Sequence, residues 1–286
     1  MSTVLNQLIE LLKLEKLDDF LFRGQSQDLG LRQVFGGQVV AQALSAAIQV
    51  APQDRILHSC HAYFLAPGDS QHPIIYDVEV LREGRHFTAM RVKAIQHNQS
   101  ICHVTASFQM EENGFEHQSA MPTVGEPESF IAERAVLQQL AQYIPEAVRD
   151  KFIAERPFDI RSKYINNPFQ GKMLPPEQYI WVKANGEAPN DRAIQQCLLA
   201  YFSDFHLLLT ALHPHQKGFL QTGMKVATID HSIWFHRAGD INDWLLYAIE
   251  STNAFGGRGL SRGQIFDRQG RLIATTQQEG LIRFNP

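Results

Sequence analysis

A chain of 286 residues is long enough for two domains, and its 44% apolar content supplies ordinary globular cores. A net charge of −4 provides no basic field for nucleic acid or for an anionic membrane surface. Three scattered cysteines, Cys60, Cys102 and Cys197, odd in number and without a CxxC pair, argue against a disulfide framework and for a reducing cytoplasm.

From the N-terminus, Leu5 to Phe22 is apolar at helical spacing but carries Glu10, Glu15, Asp18 and Asp19, unlike the basic start and unbroken apolar core of a signal peptide. No apolar run reaches the roughly 18 residues of a membrane span. Val39, Val40, Ala43, Leu44, Ala47 and Ile48 then recur at three and four, within a stretch free of charge from Gln33 to Gln53, and predict a helix buried nearly all round. Strands are expected at Leu57 to Leu65, Ile74 to Leu81, Phe87 to Gln96 and Ser100 to Gln109, separated by Pro67-Gly68-Asp69, Glu83-Gly84 and His97-Asn98. A polar stretch from Met110 to Glu128 leads to a helical segment, Phe130 to Phe152, and to short strand candidates at Phe158 to Tyr164 and Gln178 to Ala184. Ile194, Leu198, Tyr201, Phe205, Leu208 and Leu212 then make a second apolar helix, closed by Pro214. Further strands follow at Ala227 to His236, Trp244 to Glu250, Gly259 to Asp267 and Arg271 to Glu279, the last two joined by the hairpin turn Asp267-Arg-Gln-Gly270.

The halves repeat each other at an offset of 171 residues. Tyr63-Phe-Leu-Ala-Pro-Gly-Asp69 lines up with Trp234-Phe-His-Arg-Ala-Gly-Asp240, and the same offset carries Ile74-Ile75, Tyr76, Glu79 and Thr105 onto Leu245-Leu246, Tyr247, Glu250 and Thr276. A duplicated α+β unit, one long helix wrapped by an antiparallel sheet, fits this order. The expected divisions are residues 1–110, a helix-bearing linker at 111–157, and residues 158–286.

The chemistry centres on Asp204, a carboxylate beside the apolar face of the second helix. An acid there is paired, neutralised or kept for a task, because burying it alone is costly. The competing structural account is that Ser203-Asp204 interrupts the helix and the carboxylate caps backbone N–H groups. The first helix has no acid. Gly259-Leu-Ser-Arg-Gly263 matches GxSxG, but strand rather than helix is expected after it and the last histidine, His236, precedes Ser261, so a serine nucleophile is not expected. His58 and His61 face opposite sides of one strand, and neither a metal nor another cofactor is expected. Arg258 and Arg262 are candidates for phosphate contact, although loop arginines are commonly just solvated.

Taken together, Val34-Phe-Gly-Gly-Gln-Val-Val-Ala-Gln-Ala43, His58-Ser-Cys-His-Ala-Tyr-Phe64, Gly68-Asp69, Pro73 to Glu79, Gly84-Arg85, Asp230-His-Ser-Ile-Trp-Phe-His236, Gly257-Arg-Gly259 and Gln278-Glu-Gly-Leu281 resemble the acyl-CoA thioesterase II family over almost the whole chain. The resemblance implies a double hotdog fold and hydrolysis of fatty acyl-CoA to free CoA and a carboxylic acid. It implies that Asp204, Thr228 and Gln278 hold the attacking water. His58 also falls in a family motif, with a structural role favoured for it. At the repeat offset Thr228 falls on Leu57 and Gln278 on Ser107, so the polar set belongs to the second copy alone. Two other chemistries fit a hotdog chain: hydration of enoyl-CoA, for which Asp204 and His206 stand close in sequence, and acyl-CoA binding without catalysis. The expected partners are the acyl-CoA substrate and further copies of the chain, as a dimer or tetramer, with no nucleic acid and no membrane.

Overall fold

The computed structural model describes residues 3–30, 33–144 and 146–285. Helix α1 (Thr3–Leu12) buries Leu5, Leu8, Ile9 and Leu12 at helical spacing. It is followed by two short strands, β1 (Glu15–Asp18) and β2 (Leu21–Gly24). Helix α2 (Gly36–Val50) has almost no solvent-facing side. Val40, Ala41, Ala43, Leu44, Ala46 and Ala47 are wholly buried, and burying each valine or leucine side chain contributes about 1.5–3 kcal/mol. Its buried glutamines are satisfied. Gln42 Nε2 donates to Leu11 O and Gln25 O at 2.7 and 2.9 Å, and Tyr76 Oη donates to Gln42 Oε1 at 2.7 Å.

Strands β3 (Ile56–Phe64), β4 (Ile74–Glu83), β5 (Phe87–Gln96) and β6 (Gln99–Gln109) wrap this helix. In β5 the side chains of Thr88, Met90, Val92, Ala94 and Gln96 turn inward, the period of two that a half-buried strand requires. The middle of the chain forms β7 (Ile131–Ala132), α3 (Glu133–Gln139), α4 (Glu146–Ile153), β8 (Phe158–Ser162) and β9 (Glu177–Ala184). The second repeat continues with α5 (Arg192–Ser203), β10 (Met224–Thr228), β11 (Asp230–Phe235), β12 (Leu245–Phe255), β13 (Arg258–Asp267) and β14 (Leu272–Phe284).

Among the described residues the strands form one antiparallel sheet in the order β1-β2-β4-β5-β6-β3-β11-β14-β13-β12-β9-β8-β7, with β10 also paired to β14. Its halves mirror each other, β8 and β9 standing where β1 and β2 stand in the first. This is the double hotdog. The halves meet where β3 pairs with β11, and there His61 lies opposite Ser232, its own counterpart at 171 residues. A local pseudo-twofold axis therefore passes between these two residues, whose side chains share a 3.0 Å hydrogen bond.

Beyond the segment Phe130 to Phe152, which divides into β7, α3 and α4 rather than forming one helical stretch, two elements differ from the sequence expectation. The second helix does not run through to Leu212: α5 ends at Ser203, and a 3-10 turn spans Leu208–His215. The strand expected from Ala227 to His236 breaks at Ile229, where the Asp230 carboxylate accepts Glu279 N–H at 2.9 Å and β14 is offset against its two partners. Both breaks lie beside the site described next, where local irregularity re-aims side chains.

Candidate active site

Asp204 is the residue that follows α5, still in right-handed helical geometry (φ −79°, ψ −15°). Its carboxylate takes two hydrogen bonds from distant parts of the chain. Oδ2 accepts the backbone N–H of Gly37, in the first turn of α2, at 2.8 Å. Oδ1 accepts Gln278 Nε2 at 2.5 Å, and the same amide nitrogen donates to Thr228 Oγ1 at 3.2 Å. The three residues named from the sequence are thus brought together, from the end of α5, the end of β10 and the middle of β14. The helix interruption considered above is present, but the N–H group that the carboxylate caps belongs to the other repeat.

The sequence makes that approach possible at Gly36 and Gly37. A methyl group on Gly37 would lie 2.4 Å from the carbonyl oxygen of Tyr201, and one on Gly36 would lie 2.8 Å from Asp204 Oδ2. Without side chains there, the first turn of α2 sits directly against the end of α5. Phe35, at the N-cap of α2, offers no capping side chain and instead packs its ring against Tyr201 and Phe205. Asp204 therefore replaces a missing local cap, and its negative charge lies at the positive end of the helix.

Gln278 is wholly buried because strand alternation turns Thr276, Gln278 and Gly280 to the helix-facing side of β14. Asp204 and Thr228 are partly exposed, so the cluster is reachable from solvent on their side. Among the described residues Gln278 Oε1 has no hydrogen-bond partner.

The remaining candidates lie elsewhere. Ser261 is buried in β13 beside Gln278 without a hydrogen-bond partner among the described residues, and strand continues after it, so the nucleophile-elbow geometry is not formed. His58 Nε2 meets Ser107 Oγ at 2.8 Å, the ring lies edge-on to Phe87, and burial holds its pKa below the usual histidine value. Arg258 pairs with Glu279 at 3.0 Å and Arg262 with Glu250 at 2.5 Å. His206, which a hydratase reading would pair with Asp204, has its Nε2 on Glu133 of α3 at 3.1 Å. Sequence reasoning missed two features. Asp69, His72 and His97, contributed by a loop and a hairpin tip of the first repeat, place their ligand atoms within 4.8 Å of one another. The Asp69 carboxylate there already accepts Gln71 N–H and pairs with His72 Nδ1, both at 2.8 Å. A cavity of about 160 Å³ lies at the opposite end of α5, bounded by Gln195, Gln196, Leu199, Phe235 and Arg237, and does not include the Asp204 cluster.

A family model described as acyl-CoA thioesterase matches residues 147–281, and one described as acyl-CoA thioesterase N-terminal domain matches residues 25–109. The chain is 74% identical over 285 residues, spanning both proteins in full, to the acyl-CoA thioesterase 2 of Haemophilus influenzae. It is also similar to the crystal structure of an acyl-CoA thioesterase II from Mycobacterium marinum, with a TM-score of 0.79 at 34% identity over 97% of this chain and 98% of that one. A hot dog fold protein from Alicyclobacillus acidocaldarius, at 18% identity and a TM-score of 0.76 over 98% and 99% of the two chains, shares the fold. With a double hotdog fold and these matches, the chain belongs to the acyl-CoA thioesterase family.

Proposed function

We propose that this thioesterase hydrolyses fatty acyl-CoA by direct water attack, with Asp204 as proton acceptor and with Thr228 and Gln278 holding the water. The observation that carries this reading is the single amide of Gln278, which bridges Asp204 Oδ1 and Thr228 Oγ1. Both N–H donors of that amide are used, so the carboxylate and the hydroxyl are fixed relative to each other while the hydroxyl keeps its own proton for a further bond. A water between them gives a proton to Asp204 as its oxygen forms a bond to the thioester carbon. The tetrahedral intermediate then collapses with cleavage of the C–S bond, and the proton held by Asp204 passes to the departing sulfur. The products are a carboxylic acid and CoA thiol. The first turn of α2 lies beside the carboxylate, and its positive end favours the charge that develops on the carbonyl oxygen.

A thioester carbonyl is electrophilic enough for this route without a covalent enzyme intermediate. General-base assistance typically supplies about 10²- to 10⁴-fold. Asp204→Asn keeps an oxygen that can accept Gly37 N–H but removes the base, so release of free thiol from a long-chain acyl-CoA should fall by a factor in that range in a folded protein. Thiol release at near wild-type rate from the purified variant would refute the assignment.

The first repeat, residues 1–110, shapes the pocket in this reading while residues 158–286 carry the chemistry. The three cysteines are buried free thiols, which supports placement in a reducing cytoplasm. Assembly into a dimer or tetramer is the corresponding expectation for hotdog units, and sedimentation equilibrium of the purified chain tests it directly.

A further inference from the structure

We propose that Tyr247 and His231 are positioning residues for the hydrolysis, acting through Ser203 to fix the end of α5 and with it the Asp204 carboxylate. The proposal rests on the assignment of Asp204 as proton acceptor. A helix end leaves its last four carbonyl groups without partners inside the helix, and they fray unless something holds them. At the end of α5 Phe202 O accepts the backbone N–H of Phe205 at 2.9 Å, and buried side chains take the carbonyls of Ala200 and Ser203. Ser203 Oγ donates back to Ala200 O at 2.9 Å, and Tyr247 Oη, from β12, donates to Ser203 O at 2.9 Å.

The proton count then orders the network. A tyrosine has a single hydroxyl proton, and with that proton on Ser203 O, the 2.8 Å contact between Tyr247 and Thr276 is a donation from Thr276 Oγ1 to Tyr247 Oη. The hydroxyl proton of Ser203 is likewise committed to Ala200 O. The 2.9 Å bond between Ser203 Oγ and His231 Nε2 is therefore donated by the imidazole, which sets His231 as the neutral Nε2–H tautomer. Burial holds the pKa of His231 below its ordinary value, outweighing the charges of Asp204 and Asp230, in keeping with a neutral ring. Ser203, His231 and Tyr247 are all fully buried. Room for the tyrosine ring is made at Gly263, where a methyl group would stand 2.3 Å from Tyr247 Cε2. The equivalent tyrosine of the first repeat, Tyr76, spends its hydroxyl on a side chain in the body of α2, Gln42, rather than on a carbonyl at the end of that helix.

Displacing a reacting group by about 1 Å can cost on the order of 10²-fold in rate. Tyr247→Phe removes one oxygen and keeps the ring. It should lower kcat for acyl-CoA roughly 10- to 100-fold with KM within about twofold of wild type, in a protein that stays folded well above the assay temperature. His231→Leu should behave similarly, whereas His231→Gln, which restores an N–H near the position of Nε2, should recover most of the loss. In the Asp204→Asn background, Tyr247→Phe should have little further effect on the residual rate, because the group being aimed has gone. If Tyr247→Phe leaves kcat unchanged, or lowers only the melting temperature, the positioning role is overturned. If Tyr247→Phe lowers kcat by the same factor with and without Asp204, the network acts on something other than this carboxylate and the proposal falls. Failure of the parent assignment reads differently, as an Asp204→Asn enzyme that still turns over.

Discussion

The two central helices begin and end in opposite ways. Helix α5 caps itself at the start, Asp191 Oδ1 accepting Ile194 N–H at 2.9 Å, and ends in Asp204. Helix α2 starts after Phe35 with no side-chain cap and ends at Ala51, in extended geometry and without a carboxylate. The cap that α2 lacks is supplied by the other helix. The same replacement runs through the strands, where Thr228 and Gln278 stand at the repeat offset from Leu57 and Ser107. One end of the pseudo-symmetric pair thus combines a helix start, a carboxylate and an amide, while the other end of α5 borders a cavity bounded by Gln195, Gln196 and Arg237. In the proposed mechanism the chemistry lies at the joint between the repeats, where the end of α5 meets the start of α2.

That comparison is broken most severely by making the second repeat like the first. Gln278→Ala removes the bridge between base and hydroxyl and should cost about 10²-fold in kcat, comparable with loss of a preorganised polar donor. Thiol-release kinetics on a long-chain acyl-CoA provide the check. Gly37→Ala attacks the joint itself. With Tyr201 O 2.4 Å from the new methyl group, α2 and α5 must separate, and a stability loss of about 1–3 kcal/mol should appear in urea unfolding together with reduced turnover. Asp204→Ala should be less stable than Asp204→Asn by about 1 kcal/mol, because only the asparagine can still cap Gly37, and differential scanning calorimetry should separate the two by roughly 2–4 °C.

A smaller effect concerns the clamp between the linker and the turn after Asp204. Glu133 pairs with His206, which sits in the left-handed region at φ +64°, and also accepts the Ser162 hydroxyl. Burial disfavours both charges, but each partner's charge and hydrogen bond outweigh it: the pKa of His206 is raised and that of Glu133 lowered. The raised histidine contributes stability that is complete below its ordinary value of 6.5 and is lost as pH climbs through its folded value. The lowered glutamate contributes stability present above its ordinary 4.5 and lost as pH falls through its folded value. Glu133→Gln should therefore cost about 1 kcal/mol for this partly exposed pair, with the melting-temperature gap from wild type widest between pH 4.5 and 6.5 and narrowing at higher pH. A gap independent of pH would remove the ion pair from the account. Smallest of all is Ser261→Ala, which should keep activity within about twofold and leave stability unchanged or slightly raised, since its buried hydroxyl has no partner among the described residues to lose.

Much of this was legible in the residue pattern because periodicity is local. The charge-free apolar spacing from Val39 to Ile48 marked α2, the alternation in Phe87 to Gln96 marked β5, and the constant offset marked the duplication before any contact was known. Asp204 stood out because an acid near an apolar helical stripe needs a reason, and Thr228 and Gln278 came with it through family motifs. The histidine, serine and arginine alternatives could be weighed only by type and spacing. Their partners, Ser107 for His58 and glutamates for Arg258 and Arg262, became visible only when strands were brought into register.

By itself the sequence determined the two repeats, most of their helices and strands, and the single carboxylate that the proposed mechanism uses as its base. Only the tertiary structure decided where α5 stops and what Asp204 touches. The apolar spacing from Ile194 to Leu212 favours one continuous helix, and the competing interruption at Ser203-Asp204 does not say which N–H group the carboxylate would cap. The end at Ser203 is held by Tyr247, 44 residues away, and the Asp204 carboxylate by Gly37, 167 residues away. Hydrogen bonds closed over such distances leave no periodic trace, so the helix break and the joint it forms with α2 are products of packing.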